Sequence, residues 1–286
     1  MLKNADTALY RAKAAGRGTW RLFEPIMDAQ LQERRALEID LRRALAGDEF
    51  LLHFQPVLTT RTKVVNGFEA LIRWQHPLHG LLRPNQFIPL CEEIGLIVPL
   101  GEWVLREACR QAAAWSDRIS VAVNLSAVQF RTASLVGVVR DALDASGLAA
   151  DRLELEITES VLLRNTQGTL DTLHELRALG VRISMDDFGT GYSSLSYLQK
   201  FPFDKIKIDQ SFVRGMDDSS DCRAIVRAVT GLGASMGIKT TAEGVETDEQ
   251  MARIRAEGCT QVQGYLTGRP LPATEAAALL HPPLSA

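Results

Sequence analysis

Cysteine is scarce: Cys91, Cys109, Cys222 and Cys259 are the only four in 286 residues, and they form no CxxC pair. So widely spaced, they exclude a disulfide framework and read as reduced, mostly buried thiols of a cytoplasmic chain. Zinc is poorly served as well. His76 and His79 stand close in HPLH, but no further ligands accompany them, and a proline loop accounts for the spacing. A basic excess is missing: Lys and Arg total 32 against 35 Asp and Glu, a net charge of −3. That balance gives no electrostatic footprint for duplex nucleic acid. No apolar run is long enough to span a bilayer, and no signal-peptide pattern opens the chain. The expectation is a soluble chain without membrane contact, although a longer parent protein could be membrane-attached. Internal repeats and low-complexity stretches are also lacking.

What is present is a hydrophobic content of 46%, ample for a large core. Residues 1–24 show a helix (Ala5–Ala15), a glycine turn and a short strand, too little to bury a core alone. Residues 25–48 are charged and helical with a Leu/Ala stripe, and suit a linker helix. From 49 to 286 the pattern is regular: short apolar runs alternate with amphipathic stretches. Strands are expected at Phe50–Val57, Val64–Trp74, Ile119–Leu125, Leu153–Thr158, Val181–Met185, Lys205–Ile208, Ile238–Ala242 and Gln261–Tyr265. Eight strands with intervening helices suggest an α/β fold, a closed TIM (β/α)8 barrel, with an open doubly wound sheet as the alternative. LTTRTK is too short for a helical crossover, so the first two strands form a hairpin and one strand runs antiparallel.

Barrels of this type place their chemistry at the C-terminal strand ends. Those ends carry Glu69, Asn124, Glu156 with Glu159, Asp186 with Asp187, Lys207 with Asp209, Glu243 with Glu246, and Gln263. Each has a bland reading alone: a solvated loop Glu, a helix cap for Asn124, a surface charge for Lys207, a turn for DDFG. The set argues otherwise. Converging carboxylates repel and resist ionisation, and divalent cations remove the conflict. Asp, Glu and Asn oxygens suit Mg²⁺ or Mn²⁺, with enough ligands for two ions roughly 3.5–4 Å apart. Neighbouring residues of a strand face opposite ways, so Asp186 and Asp187 share such a site only if the strand end twists.

EALIRW, NLS, EITES, DDFGTGYSSL, KIKID, AEGVE and QGY, in this order and spacing, resemble the EAL-domain family of cyclic di-GMP phosphodiesterases over about Leu37–Leu280. The resemblance implies a modified barrel with one antiparallel strand that opens cyclic di-GMP to linear pGpG. It implies Glu69, Asn124, Glu156 and Asp186 on a first metal, and Asp186 and Asp187 on a second. Lys207 would hold the attacking water, and Glu243 would be general base or second-metal ligand. Gln263 would sit near the metals, with Arg73 and Gln55 on substrate phosphate and guanine. The loop Phe188–Leu198, including Gly189, would couple the site to a homodimer interface, braced by Glu159, with Glu246 nearby. Departures from the family pattern, Thr267-Gly268 and Gln210, touch no proposed ligand. ADTALYRAKAAGRGTWRLFEP resembles the end of a GGDEF (diguanylate cyclase) domain, so the chain resembles part of a GGDEF–EAL tandem protein. AGDEF at Ala46–Phe50 follows that tail and is no cyclase site. The alternative function is a catalytically silent cyclic di-GMP receptor or protein-interaction module, but such relatives lack metal-ligand positions that this chain has.

Overall fold

The structure is a computed structural model in which the described residues are Trp20, Leu22, 24–116, 118–132, 134–164, 166–189, Leu198, Phe201 and 203–280. The helix expected over Ala5–Ala15 and the loop residues 190–197 lie outside them. The chain divides into two units, residues 1–50 with 74–96, and 51–73 with 97–286.

In the first unit, α1 (Pro25–Ala44) is the charged helix expected from the sequence. Proline suits its first turn, where no intrahelical N–H is needed, and Leu41 and Ala44 are buried. Strand β3 (Gly80–Leu82) pairs antiparallel with Trp74–His76, the end of β2 (Val65–His76). Helix α2 (Pro84–Glu93) follows. Phe50, Trp74 and Phe87 form an aromatic cluster with ring centroids 5.7–5.9 Å apart. AGDEF is structural here: Glu49 accepts a hydrogen bond from Trp74 Nε1 at 3.0 Å. His76 serves its turn. Its Nδ1 accepts from the N–H groups of Leu78 and His79, and Nε2 faces Asp40 at 3.3 Å.

The second unit holds the barrel. Strands β2, β4 (Ser120–Leu125), β5 (Leu153–Thr158), β6 (Arg182–Phe188), β7 (Lys205–Ile208), β8 (Lys239–Ala242) and β9 (Gln261–Val262) pair in parallel, each with the next. Strand β1 (Phe50–Thr59) runs antiparallel to β9 and also pairs with β2, which closes the cylinder. The open-sheet alternative falls, and the antiparallel strand within the barrel is the one expected from LTTRTK. A tenth strand, β10 (Leu271–Pro272), adds to β1. The short strands β3 and β10 were not anticipated, because two or three residues show no period. Strand β9 ends at Val262, earlier than expected, and Tyr265 is exposed in the turn beyond.

Eight helices accompany these strands among the described residues: α3 (Ile97–Ala113), α4 (Leu135–Ser146), α5 (Glu159–Arg164), α6 (Thr166–Ala178), α7 (Gln210–Gly215), α8 (Ser220–Met236), α9 (Asp248–Ala256) and α10 (Ala273–Ala278). None of the described helices is long and apolar enough to cross a membrane. Parallel strands covered on both faces are buried throughout, which explains LELEIT in β5 and KIKI in β7. Leu153, Leu155, Ile157, Ile206 and Ile208 form one buried set. The alternate positions carry charge and bridge the two strands: Glu154 to Lys205 and Glu156 to Lys207, each at 2.7 Å. Phe54 and Phe68 pack on Trp115, with centroids 5.1 and 4.9 Å away. Each such side chain contributes about 1.5–3 kcal/mol by burial. Buried Arg152 donates to the carbonyls of Ala112 and Trp115 at the end of α3, and to that of Ile119. It satisfies acceptors that a helix end leaves open.

Candidate active site

All the site residues expected from the sequence lie in the second unit. Glu69 comes from β2, Asn124 from β4, Glu156 from β5, Asp186 and Asp187 from β6 and Lys207 from β7. Glu243 follows β8 directly, and Gln263 follows β9. In-register pairing sets Asn124 beside Glu156, and Thr158 beside Asp186.

Lys207 stands at the centre, 2% exposed. Its Nζ lies 2.7 Å from Glu156 and from Glu243, 3.2 Å from Asp186 and 3.5 Å from Glu69. Asn124 Nδ2 donates to Glu69 Oε1 at 2.7 Å, and Gln263 Nε2 donates to Glu69 Oε2 at 2.5 Å and to Gln55 Oε1 at 3.1 Å. Gln55 Nε2 in turn holds the Gly268 carbonyl.

The two adjacent aspartates meet through the backbone. Strand β6 shifts register between Met185 and Phe188, and Asp187 has φ 53°. A left-handed residue in a bulge re-aims its side chain, and Asp tolerates that conformation better than most. Carboxylate oxygens of Asp186, Asp187 and Glu243 thereby come within 4.8 Å of one another. Two glycines let the neighbouring ends approach. A Cβ on Gly264 would stand 2.1 Å from the Val245 carbonyl oxygen, and one on Gly244 would stand 2.5 Å from Gln210 Cβ. The glycines of QGY and AEGVE thus permit the contact that places Gln263 and Glu243.

The charges conflict as the sequence suggested. Burial opposes the Lys207 ammonium, yet Asp186, Glu156, Glu243 and Glu69 hold it well above the usual lysine range. Burial also opposes ionisation of Glu69, but Lys207 and the donors Gln263 and Asn124 hold its carboxyl below the usual range. Burial wins elsewhere. It pushes Glu156 well above the ordinary range despite Lys207, and Glu243 up to about 8. Burial and the Asp186 charge push Asp187 up to about 6. Gln263 Oε1 is buried without a hydrogen-bond partner among the described residues, and buried Asp186 Oδ1 meets Lys207 Nζ, at 3.2 Å, which it shares with three other carboxylates. Surplus carboxylates and orphaned oxygen acceptors are what a hard cation satisfies, so the acidic cluster fits a metal ion.

Other expected residues stand around this cluster. Glu159 Oε1 accepts the Gly189 N–H at 3.1 Å, tying the start of the loop after β6 to α5. Arg73 is buried, and its Nη1 donates to the Ile72 carbonyl at 2.9 Å. Glu246 is exposed, pairs with Arg214 at 2.9 Å and lines the rim of the cavity above Lys207. The cavity above Lys207 holds about 280 Å³ and is also lined by Leu71, Arg214 and Tyr265. Arg269 stacks over the Tyr265 ring at 4.4 Å. The sequence does not single out Arg214, which sits on helix α7, or Tyr265, which it places at the end of a strand but which stands in the turn beyond β9.

The EAL domain family matches residues 38–270. The chain belongs to this family. It is 47% identical over 279 residues to the bifunctional diguanylate cyclase/cyclic di-GMP phosphodiesterase MucR of Pseudomonas aeruginosa, covering 96% of this chain and 41% of that protein. It is 40% identical over 276 residues to the cyclic di-GMP phosphodiesterase PdeR of Escherichia coli, covering 96% and 42%. The solved structure of a MucR phosphodiesterase in its c-di-GMP complex superposes with a TM-score of 0.82 at 47% identity, over 84% of this chain and 99% of that one. This EAL domain therefore spans 34–41% of the length of the first curated relatives it matches.

Proposed function

We propose that this EAL domain is a metal-dependent phosphodiesterase that hydrolyses cyclic di-GMP to linear pGpG. The observation that carries the reading is the carboxylate cluster around Lys207, joined by Asp187 through the bulge in β6. The relatives named as cyclic di-GMP phosphodiesterases supply the substrate. Glu69, Asn124, Glu156 and Asp186 would hold one divalent cation, and Asp186 with Asp187 a second, Mg²⁺ or Mn²⁺. Bound cations supply charge neutralisation at the phosphate and a lowered pKa for a coordinated water. Lys207, fixed by Glu156 and Glu243, orients the attacking water. Attack on phosphorus in line forms the new P–O bond and breaks the bond to the ribose 3′ oxygen, and the proton that the water gives up ends on that oxygen. We assign Glu243 to the second cation, because its oxygen lies with those of Asp186 and Asp187. Arg73 and Gln55 would face substrate phosphate and guanine.

The same reading makes residues 1–24 the end of a GGDEF domain, 25–48 a linker helix and 49–286 the EAL barrel, in a protein that works as a homodimer. Glu159, through the Gly189 N–H, would couple the dimer loop to the site. The test is incubation of the purified chain with cyclic di-GMP and Mg²⁺ or Mn²⁺, with an EDTA control, read by chromatography. Linear pGpG formed only with metal is the expected result. Binding without product would make the chain a receptor, and turnover per molecule that rises with protein concentration would support the dimer.

A further inference from the structure

The opposite end of the barrel carries a second polar cavity, of about 1050 Å³. Its walls come from the N-terminal ends of the strands. Arg182 opens β6, Lys205 opens β7 and Lys239 opens β8. Lys205 and Lys239 are direct register partners. Like charges set side by side on a sheet are unfavourable. Partial burial, with Arg182 and Lys205, outweighs the charges of Glu154 and Asp204 and pushes the Lys239 ammonium below its usual range. Arg118 and Arg177 add two more cations. The acids facing the cavity are Glu154 and Asp204. Glu154 Oε2 is taken by Lys205 at 2.7 Å. Asp204 lies 3.6 Å from Arg177, and among the described residues Arg182 pairs only with the exposed Asp151, at 3.8 Å. Among the described residues, no carboxylate pairs with Arg118 or Lys239.

A second observation points to a ligand. Glu154 is 2% exposed, and its Oε1 has no hydrogen-bond partner among the described residues; nor has the buried Asn66 Oδ1 on the same wall. Leaving buried acceptors unpaired is costly. Inorganic anions would answer the cations and leave these acceptors unanswered. Phe203 and Ile238, both buried, give the cavity an apolar wall. The volume lies just above the roughly 300–1,000 Å³ usual for small-molecule sites.

We propose that the N-terminal mouth of this barrel binds a small phosphorylated molecule that also brings N–H or O–H donors, with a nucleoside polyphosphate as the matching class. Its phosphates sit among Arg182, Lys239 and Arg118, and its donors reach Glu154 Oε1 and Asn66 Oδ1. The site is separate from the carboxylate cluster, since Glu154 lies one inward position below Glu156 on β5.

The test is calorimetric titration of the full chain with ATP, after chelating resin has removed metal. Adenosine and pyrophosphate serve as comparison ligands, and the variants are Lys239→Gln and Arg182→Gln, alone and combined. Both residues are at the rim, and a thermal melt checks that each variant folds. ATP should bind the parent chain and raise its melting temperature. The double variant should lose about tenfold or more in ATP affinity, as expected for removing charge-assisted contacts, with cyclic di-GMP hydrolysis unchanged. Undetectable ATP binding, or equal affinity in parent and double variant, overturns the site. Adenosine binding as tightly as ATP overturns the phosphate assignment, and pyrophosphate binding as tightly as ATP overturns the nucleoside assignment.

Discussion

Two levels of one barrel use the same residue pair to different ends. Below, Lys205 meets Glu154; above, Lys207 meets Glu156, and each pair spans β5 to β7 at 2.7 Å. The lower lysine has one carboxylate partner and sits among Arg182 and Lys239. The upper lysine faces four carboxylates. A buried ion pair is a weak source of stability by itself. What gives each level its chemistry is the surplus charge around the pair, negative at one mouth and positive at the other. The acidic mouth suits hard cations, and the basic mouth suits an anion.

Substitutions at the two levels should fail differently. Glu69→Ala removes a carboxylate from the upper surplus. It should lower hydrolysis by a factor on the order of 10²–10³ or more, the scale of losing one electrostatic contact in a reacting centre. Its circular dichroism should stay that of the folded parent; near-normal turnover would remove Glu69 from the metal site. Lys205→Met strands Glu154 as a buried charge in the lower level and should destabilise the chain by about 3–5 kcal/mol. The double replacement Lys205→Met with Glu154→Leu should recover most of that loss in urea titrations.

The third test separates the mouths by pH. Cations bind deprotonated carboxylates. Asp187 is raised to about 6 and Glu243 to about 8. Mn²⁺ affinity should therefore weaken as pH falls through about 8 and again through about 6, with proton release measurable by calorimetry in buffers of different ionisation enthalpy. Metal-free protein should show the opposite trend in stability. An acid with a raised folded pKa keeps a proton that the unfolded chain has already lost. Stability then falls as pH rises from the ordinary carboxylate range toward about 8. A melting temperature that rises over that window in the metal-free chain would contradict the charge conflict at the upper mouth. The smallest effect belongs to the exposed rim. Breaking Arg214–Glu246 with Glu246→Gln should change stability by about 0–1 kcal/mol, and a larger loss would show that this pair belongs to the cluster.

Much of the upper mouth was legible in the sequence. Strand ends follow from short apolar runs, and the barrel rule turns strand ends into a site, so Glu69, Asn124, Glu156, Asp186, Lys207, Glu243 and Gln263 could be named from spacing. AEGVE also places Glu246 near Glu243, and the structure sets it at the rim of the same cavity, paired with Arg214. The lower mouth was not legible. Lys205 and Glu154 stand at strand starts, where charged residues are ordinary. Only the register that sets Lys205 beside Lys239 reveals an unbalanced charge.

The sequence by itself determined the eight strands of the barrel, that one of them runs antiparallel, and which acids stand at their ends, because those features depend on local period and short spacing; the two- and three-residue strands β10 and β3 escaped it. Tertiary structure alone decided that Asp187 faces the same site as Asp186, since that follows from one left-handed residue and a register shift. It alone decided which lysine meets four carboxylates and which meets one. Charge balance is a sum over neighbours brought together by closure of the barrel, and no stretch of chain carries that sum.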